Sequence, residues 1–315
     1  MNNVPTKIDI ESAHERIKNH IHKTPIFTSS SINKILQSNL FFKCENFQRA
    51  GAFKMRGATN TILSLTEKEL SKGVATHSSG NHAGALALAA QSLNTTAYIA
   101  MPNTAPEIKR KAVESYGGKI TFCKPTLDDR ERTLSEIVRK TGATFIHPYD
   151  NYRIIAGQAT CTKEILEEIN NLDYLLAPLG GGGLLSGTLL SSKYFSNSTK
   201  VIGVEPKGAD DAYRSIRDGK IYPSINPKTI ADGLLTSLSE KTFNIIKENV
   251  YKIITVEEET ILEAMYLIWE RMKIIIEPSS ATVLAAVMEN QKQFHGKSAA
   301  LILSGGNVDI KSFQR

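Results

Sequence analysis

The chain has 315 residues, of which 41% are hydrophobic and 22% charged, so we expect a globular protein with two subdomains or one large α/β unit. The net charge of +6 is scattered without a block of five or six like charges, which predicts a mildly basic surface and no nucleic-acid partner. Three widely separated cysteines argue against a disulfide framework or a zinc site, and the absence of a leader or membrane-spanning pattern favours a cytoplasmic protein without a membrane partner.

Short apolar segments alternate with longer helical patterns along the chain. The apolar segments predict strands over 40–44, 74–77, 96–101, 120–123, 144–147, 174–179, 201–204 and 299–304. The longer patterns predict helices over 83–90, 106–116, 128–140, 257–272 and 279–288. Such alternation is typical of parallel sheets covered by helices on both faces, in which ligands bind beyond the carboxyl ends of the strands.

A run of four glycines stands between a predicted strand and the start of a helix. This glycine loop consists of Gly180, Gly181, Gly182 and Gly183. Without Cβ atoms, such a turn can bring several backbone N–H groups to one anion, and the following helix adds its positive dipole end, so we expect a phosphate there. A tight turn needed only for packing is the alternative, which the entropic cost of four glycines disfavours. The spacing matches neither a dinucleotide fingerprint nor a P-loop.

Two further polar turns follow predicted strands. The first turn consists of Ser78, Ser79, Gly80, Asn81 and His82. It offers N–H groups at a helix start, two hydroxyls and an amide, which suit a substrate carboxylate, although a plain helix N-cap is the alternative. Ser304 ends the last predicted strand, where its hydroxyl could face a ring heteroatom.

Lys54 lies in a segment of small residues after the first predicted strand. We interpret most lysines of the chain as solvated surface residues, but the glycines and alanines around Lys54 leave room for a ligand to approach the backbone. A desolvated lysine has a lowered pKa, which makes it both a Schiff-base former and a general base.

Taken together, these motifs resemble the fold-type II pyridoxal-phosphate enzymes, in particular the serine/threonine dehydratase and serine racemase branch. The resemblance covers nearly the whole chain, and its motifs lie at 42–45, 51–57, 78–82, 180–183 and 304–307. It implies an α/β fold of two open, mostly parallel sheets with flanking helices, like that of the tryptophan synthase β subunit. It also implies a large cofactor domain of residues 1–68 and 152–315 and a small mobile domain of residues 73–150.

The resemblance implies a role for each motif around pyridoxal 5'-phosphate. Lys54 would hold the cofactor as a Schiff base, and Phe53 would pack on one face of its ring. Asn81 would hydrogen-bond the ring hydroxyl, the glycine loop would bind the phosphate, and Ser304 would meet the pyridine nitrogen. A neutral hydroxyl does not force that nitrogen to be protonated, which favours elimination and proton exchange over transamination.

The implied reaction is β-elimination of water from L-serine or L-threonine, giving a 2-oxo acid and ammonia. Lys54 would remove the Cα proton while residues 78–82 bind the amino acid. Ser79 resembles the serine that returns a proton on the opposite face in racemases, so serine racemase activity stays open. Arg130 stands where racemase-like members recruit a second carboxylate, which makes 3-hydroxyaspartate an alternative substrate; a surface arginine on a helix is equally consistent.

Glu205, Ala209 and Asp211 resemble the divalent-cation site of the racemase-like members. The two carboxylates and the Ala209 carbonyl would be the protein ligands, and oxygen-only ligands fit Mg²⁺, Ca²⁺ or Mn²⁺. The alternative is a helix N-terminus at which acidic residues interact favourably with the dipole.

Two positions depart from the family members that bind ATP. Ala50 stands where those members usually carry Thr, and Gly84 stands where they carry Gln, so we predict weak or absent activation by ATP. The resemblance further implies a homodimer. Other enzymes of the same fold remain rivals, and so does a non-catalytic protein that binds pyridoxal phosphate; such a protein could dispense with Lys54 and Ser79.

Overall fold

The computed structural model describes residue 1 and residues 3–78, 80–196 and 198–313. Within these ranges the strands form two separate sheets. The first has the order β1-β2-β10-β7-β8-β9 and is formed by β1 Ile26–Phe27, β2 Asn39–Cys44, β7 Tyr174–Pro178, β8 Lys200–Pro206, β9 Lys252–Val256 and β10 Ser298–Leu303. The second has the order β5-β4-β3-β6 and is formed by β3 Val74–His77, β4 Ala97–Pro102, β5 Lys119–Cys123 and β6 Thr144–Phe145.

Helices lie between and around the strands. In chain order they are α1 Lys7–Ile17, α2 Ser30–Leu36, α3 Lys54–Leu63, α4 Glu67–Lys72, α5 Asn81–Ser92, α6 Glu107–Ser115, α7 Leu127–Thr141, α8 Tyr152–Glu168, α9 Gly183–Phe195, α10 Asp211–Asp218, α11 Glu240–Asn249, α12 Glu258–Met272, α13 Pro278–Glu289 and α14 Gln291–Phe294. Strand β1 pairs antiparallel with β2, and the other pairings among the described strands are parallel. The predicted architecture of two open, mostly parallel sheets with flanking helices is confirmed.

The parallel strands are apolar because helices cover both of their faces. All five residues of β7 are buried, as are the last five of the six residues of β10. On one face, α13 packs against β7, β9 and β10; on the other, α9 packs against β7 and β8. Burying these strands removes apolar surface from water at roughly 25 cal/mol per Å², which is the main favourable contribution to folding. The carboxyl ends of the strands are thereby fixed relative to one another.

Helices α3, α8 and α9 pack at backbone contact. A Cβ atom added to Gly157 on α8 would lie 2.6 Å from the Gly57 Cα on α3, and one added to Gly187 on α9 would lie 2.6 Å from the Ala159 nitrogen on α8. Only glycine allows such close approach. The helix that begins at Lys54 is therefore held against the helix that begins at the glycine loop, with α8 between them.

The predicted elements largely match the observed ones, with shifted ends. The strand predicted over 144–147 ends at Phe145, because its last two residues leave the sheet toward the site. Strands β1 and β9 were not predicted, nor were several helices, among them α1, α3, α8 and α11. Helix α8 contains Gly157 and two threonines, which weaken the helical pattern, and the short β9 lies between two helices as a five-residue segment. Among the described residues, no helix has the length and apolarity needed to cross a membrane.

Candidate functional site

Lys54 is the first residue of α3 and lies beyond the carboxyl ends of both sheets. Its Nζ atom donates a hydrogen bond of 3.1 Å to the Pro148 carbonyl and lies 5.2 Å from the centroid of the Phe53 ring. Burial lowers the pKa of the Lys54 amine to about 8, against the opposing effect of the Glu277 carboxylate. A substantial fraction of this amine is therefore neutral near pH 8, and a neutral amine can attack a carbonyl or accept a proton.

The glycine loop lies against the Tyr149 side chain, which follows Pro148 in the chain. Cβ atoms added to Gly181 and Gly183 would overlap the Tyr149 side chain, and one added to Gly180 would lie 2.9 Å from the Leu234 Cα. Gly182 has a φ of +85°, a left-handed conformation that L side chains rarely adopt. The loop is thus both conformationally and sterically restricted to glycine, and it leads into the N-terminus of α9, where free N–H groups and the helix dipole favour an anion.

Asn81 has its side-chain amide fixed from both sides. Its Nδ2 donates to the Glu277 Oε1 at 2.7 Å, and its Oδ1 accepts from the Asn307 Nδ2 at 3.0 Å. Because a carboxylate can only accept, these two contacts set the orientation of the amide and leave one Nδ2 hydrogen for another acceptor. Burial raises the pKa of the Glu277 carboxyl to about 7, with Lys109 opposing the rise.

Ser304 lies beside the segment that carries the lysine. Its carbonyl accepts the Phe53 N–H at 2.9 Å, so the last strand and the Lys54 segment are directly joined. The Ser304 Oγ lies 3.1 Å from the Ser280 Oγ, which itself donates to the Gly305 carbonyl at 2.7 Å. The Ser304 hydroxyl is buried and supported by α13, which begins directly after Glu277.

The polar turn at 78–82 joins β3 to α5, as predicted. The Ser78 Oγ accepts the Gly80 N–H at 3.3 Å, and Gly80 precedes the first residue of the helix. The His82 ring is buried within 3.3 Å of the Ile146 carbonyl, and burial holds its pKa well below the usual range, so the ring is neutral. Ser79 lies outside the described residues.

Aromatic and histidine side chains line the site from the second sheet. His77 lies 6.0 Å from His147 between ring centroids, and His147 lies 4.6 Å from Tyr149. Burial lowers the pKa of both histidines to about 4, so both are neutral at physiological pH. Arg130 is half-buried on α7, donates to the Thr126 carbonyl at 3.4 Å, and adds to the lowering of the His77 pKa. The positive charge of Arg130 therefore acts on the part of the site that His77 lines.

A buried ion network anchors the helix that carries Lys54. The Arg56 guanidinium donates to Glu45 at 2.8 Å and to Glu164 at 2.7 Å, and the Lys43 Nζ donates to Glu164 at 2.6 Å. The two cations and two carboxylates balance, and each of the four side chains is at most 2% exposed. Because an unpaired buried charge is very unfavourable, the network fixes the start of α3.

Glu205 and Asp211, two of the three predicted cation ligands, lie where β8 leads into α10, and Ala209 lies between them in the chain. Both Glu205 and Asp211 are buried, and Glu205 accepts the N–H groups of Ala212 at 3.0 Å and Tyr213 at 2.7 Å. Burial raises the pKa of Glu205 well above its usual range, and the Asp211 carboxylate adds to the rise. Burial also raises the pKa of Asp211. The Asp211 Oδ2 is buried without a hydrogen-bond partner. Within the described ranges, no three His, Cys, Asp or Glu side chains form a metal cluster.

The structure brings the predicted cofactor residues together through a chain of contacts. The Phe53 N–H reaches the Ser304 carbonyl, Asn81 lies against Gly305, and the glycine loop lies against Tyr149, next to the Pro148 carbonyl that Lys54 contacts. Sequence reasoning missed Glu277, which binds Asn81, and also the pair Lys109 and Asp232 described below. Glu277 does carry a weak signal, since it directly precedes Pro278 at the start of a predicted helix. Its contact with Asn81 spans 196 residues and has no local pattern.

Comparison with known proteins places these residues in a family context. The family model for the pyridoxal-phosphate dependent enzymes matches residues 17–305. The β-hydroxyaspartate dehydratase of Paracoccus denitrificans is 48% identical over 307 residues, covering 98% of this chain and 98% of the relative. The serine racemase of Dictyostelium discoideum is 49% identical over 311 residues, covering 98% of this chain and 96% of the relative. The structure of maize serine racemase superposes with a TM-score of 0.96 at 40% identity, covering 98% of this chain and 96% of that one.

Proposed function

Since the chain belongs to the pyridoxal-phosphate dependent enzymes, we propose that it eliminates water from a small hydroxy-amino acid to give a 2-oxo acid and ammonia, with serine racemisation as a second activity. The observation that carries this proposal is the partly buried Lys54 amine, whose pKa burial lowers to about 8, beside a loop that only glycine can form. The relatives named as serine racemase and β-hydroxyaspartate dehydratase support the substrate class.

The site residues fit the cofactor by shape and donor type. The glycine loop and the N-terminus of α9 would hold its phosphate, and Lys54 would hold its aldehyde carbon. Phe53 would pack on the ring, and the free Nδ2 hydrogen of Asn81 would donate to the ring hydroxyl. The Ser304 hydroxyl would meet the ring nitrogen. When bound, the cofactor delocalises negative charge from Cα of an amino acid.

Lys54 would then act as the base. An amine whose pKa burial has lowered to about 8 can accept the Cα proton near neutral pH and is held in place by the Pro148 carbonyl. Loss of the Cβ hydroxyl as water and then of nitrogen as ammonia by hydrolysis gives the 2-oxo acid. Ser79 would supply a proton on the opposite face in racemisation, and the 78–82 turn would bind the substrate carboxylate through its N–H groups.

3-Hydroxyaspartate is the alternative substrate. The Arg130 guanidinium acts on His77, so it lies on the side of the site where a second carboxylate could be bound. The relative from Paracoccus denitrificans carries the name β-hydroxyaspartate dehydratase, which supports this alternative. An Arg130→Met variant that loses activity toward 3-hydroxyaspartate but keeps it toward L-serine would support this role, and equal loss toward both would contradict it.

We further propose that Glu205, Asp211 and the Ala209 carbonyl hold a divalent cation. Two buried carboxylates with raised pKa values and one unpaired buried oxygen fit an oxygen-binding ion such as Mg²⁺. Chelation of the ion should lower the melting temperature, and Asp211→Asn should remove this sensitivity. A melting temperature unaffected by both chelator and added Mg²⁺ would contradict the site.

The decisive experiment pairs Lys54→Ala with Lys72→Ala, which changes an exposed lysine. Each protein is loaded with pyridoxal phosphate and incubated with L-serine, D-serine, L-threonine and 3-hydroxyaspartate, with and without Mg²⁺. Formation of 2-oxo acid and of the opposite enantiomer is then measured, together with visible absorbance. We expect Lys54→Ala to lose both the absorbance and the activity, whereas Lys72→Ala keeps both. Elimination at the unchanged rate by Lys54→Ala would refute the proposed role.

A further inference from the structure

Lys109 reaches from helix α6 to the turn at 78–82. Its side chain is 7% exposed, and a Cβ atom added to Gly80 would lie 3.7 Å from both the Lys109 Cδ and Nζ atoms. The ammonium therefore lies against the turn that precedes α5. It also donates a hydrogen bond to the Asp232 carboxylate, which is 42% exposed and belongs to a distant part of the chain.

Asp232 begins a short 3₁₀ helix, Asp232–Leu234, that contacts the glycine loop. A Cβ atom added to Gly180 would lie 2.9 Å from the Leu234 Cα, so the two backbones are in direct contact. The Gly233 N–H donates to the Ser279 Oγ at 3.0 Å, which fixes the same segment to α13. The ion pair consequently connects the turn at 78–82, called the Gly80 turn below, to the glycine loop. The Gly80 turn follows a strand of the four-stranded sheet, and the glycine loop follows a strand of the six-stranded sheet.

Two nearby carboxylates keep the Lys109 side chain protonated. Burial alone would lower the pKa of Lys109, but the Glu277 and Asp232 carboxylates raise it above its usual value. An exposed ion pair contributes little to stability, whereas removing the partner of a buried cation leaves an uncompensated charge. Asp232 is the carboxylate that hydrogen-bonds this buried ammonium, whereas Glu277 acts on it only electrostatically, so the pair with Asp232 is not an ordinary surface ion pair.

We propose that Lys109 and Asp232 are positioning residues that hold the Gly80 turn at its working distance from the glycine loop. This role rests on the proposed function, in which the turn binds the substrate carboxylate, and on the small mobile domain of residues 73–150 that the family resemblance implies. Without the ion pair, the arrangement that binds substrate is less populated, and the apparent affinity falls by the same factor. Saturating substrate restores the arrangement, so KM rises while kcat is largely kept.

The test compares Asp232→Asn with Glu107→Gln in the holoenzyme with L-serine as substrate. Glu107 forms an exposed pair with Lys111 on the same helix α6, so its substitution removes a carboxylate without touching the buried ammonium. For Asp232→Asn we expect KM to rise roughly tenfold, equivalent to about 1.4 kcal/mol, with kcat within about twofold of wild type. Asp232→Glu restores the charge and should recover most of the affinity, and Glu107→Gln should match wild type.

Hydrogen exchange of the substrate-free holoenzyme provides a readout that does not require turnover. Asp232→Asn should speed amide exchange in α6 and the first turn of α5, and Glu107→Gln should not. If no hydroxy-amino acid is turned over by wild type, the proposed function fails, yet the exchange result still tests the connection. Unchanged KM and unchanged exchange in Asp232→Asn would overturn the positioning role, and so would a fall in kcat at constant KM.

Discussion

Breaking the buried ion network at Lys43 tests how the helix that carries Lys54 is held. Lys43→Met removes one of two cations and leaves two carboxylates, Glu45 and Glu164, against Arg56 alone. Losing one partner of a fully buried pair costs about 3–5 kcal/mol. With an unfolding entropy of roughly 2.1 cal/mol/K per residue over the 315 residues, that loss lowers the melting temperature by about 5–8 °C.

The double variant separates charge balance from lost packing. In Lys43→Met with Glu164→Gln, the remaining Arg56 and Glu45 are again neutral as a pair, and they retain their 2.8 Å hydrogen bond. We therefore expect the double variant to lose about 2 kcal/mol less than the sum of the two single variants. Lys18→Met, which breaks an exposed pair, should cost less than about 1 kcal/mol.

Thermal and urea unfolding of the holoenzymes measure these losses, and visible absorbance reports whether the cofactor is retained. If the single losses simply add in the double variant, the charges do not act as one network and the reasoning is refuted. A melting temperature of Lys43→Met equal to that of Lys18→Met would refute it as well.

Three further predictions concern the site itself. Burial raises the pKa of Glu277 to about 7, above its ordinary 4.5, so between these values the folded state binds a proton that the unfolded chain has lost. The free energy of unfolding should therefore fall by up to about 3 kcal/mol as pH rises from 4.5 to 7. Glu277→Gln should abolish this pH dependence in urea unfolding, and an unchanged pH dependence would assign the effect to another group. Because burial lowers the pKa of Lys54 to about 8 and only the neutral amine attacks the cofactor aldehyde, uptake of pyridoxal phosphate by the apoprotein should accelerate as pH rises through 8; a rate independent of pH would contradict this. Gly181→Ala places a Cβ in the Tyr149 ring and should weaken cofactor binding at least about tenfold (about 1.4 kcal/mol) in an equilibrium titration. Gly84→Ala should not, because its added Cβ would lie 4.0 Å from the nearest Tyr116 atom, an ordinary van der Waals contact; equal affinities of the two variants would mean that the loop adapts.

Local patterns were sufficient for much of the fold. The strand over Val74–His77 was predicted at its observed ends, and the four glycines were predicted to join a strand to a helix, as β7 and α9 are joined. These features depend on nearest neighbours, namely apolar runs bounded by turn residues. The prediction of the family followed from the same motifs.

Long-range contacts could not be predicted in this way. The Lys109 contact with Asp232 spans 123 residues, and both residues look like ordinary surface charges in the sequence. The same holds for Lys43, whose partner Glu164 is 121 residues away. Charge pairing across such distances depends on how the two sheets are placed, and no short pattern encodes that placement.

The glycine contacts of α8 with its two neighbours carry a mechanical consequence. Lys54 begins α3, the glycine loop leads into α9, and Gly157 and Gly187 allow both helices to contact α8 without side chains between them. The distance between the two anchor points, Lys54 and the glycine loop, is consequently set by contacts between backbones. Thermal motion of side chains does not change it. A methyl group added at Gly157 would clash with the Gly57 backbone and push α3 away from α8. We therefore expect it to weaken the proposed binding of pyridoxal phosphate, although Gly157 belongs to neither anchor point.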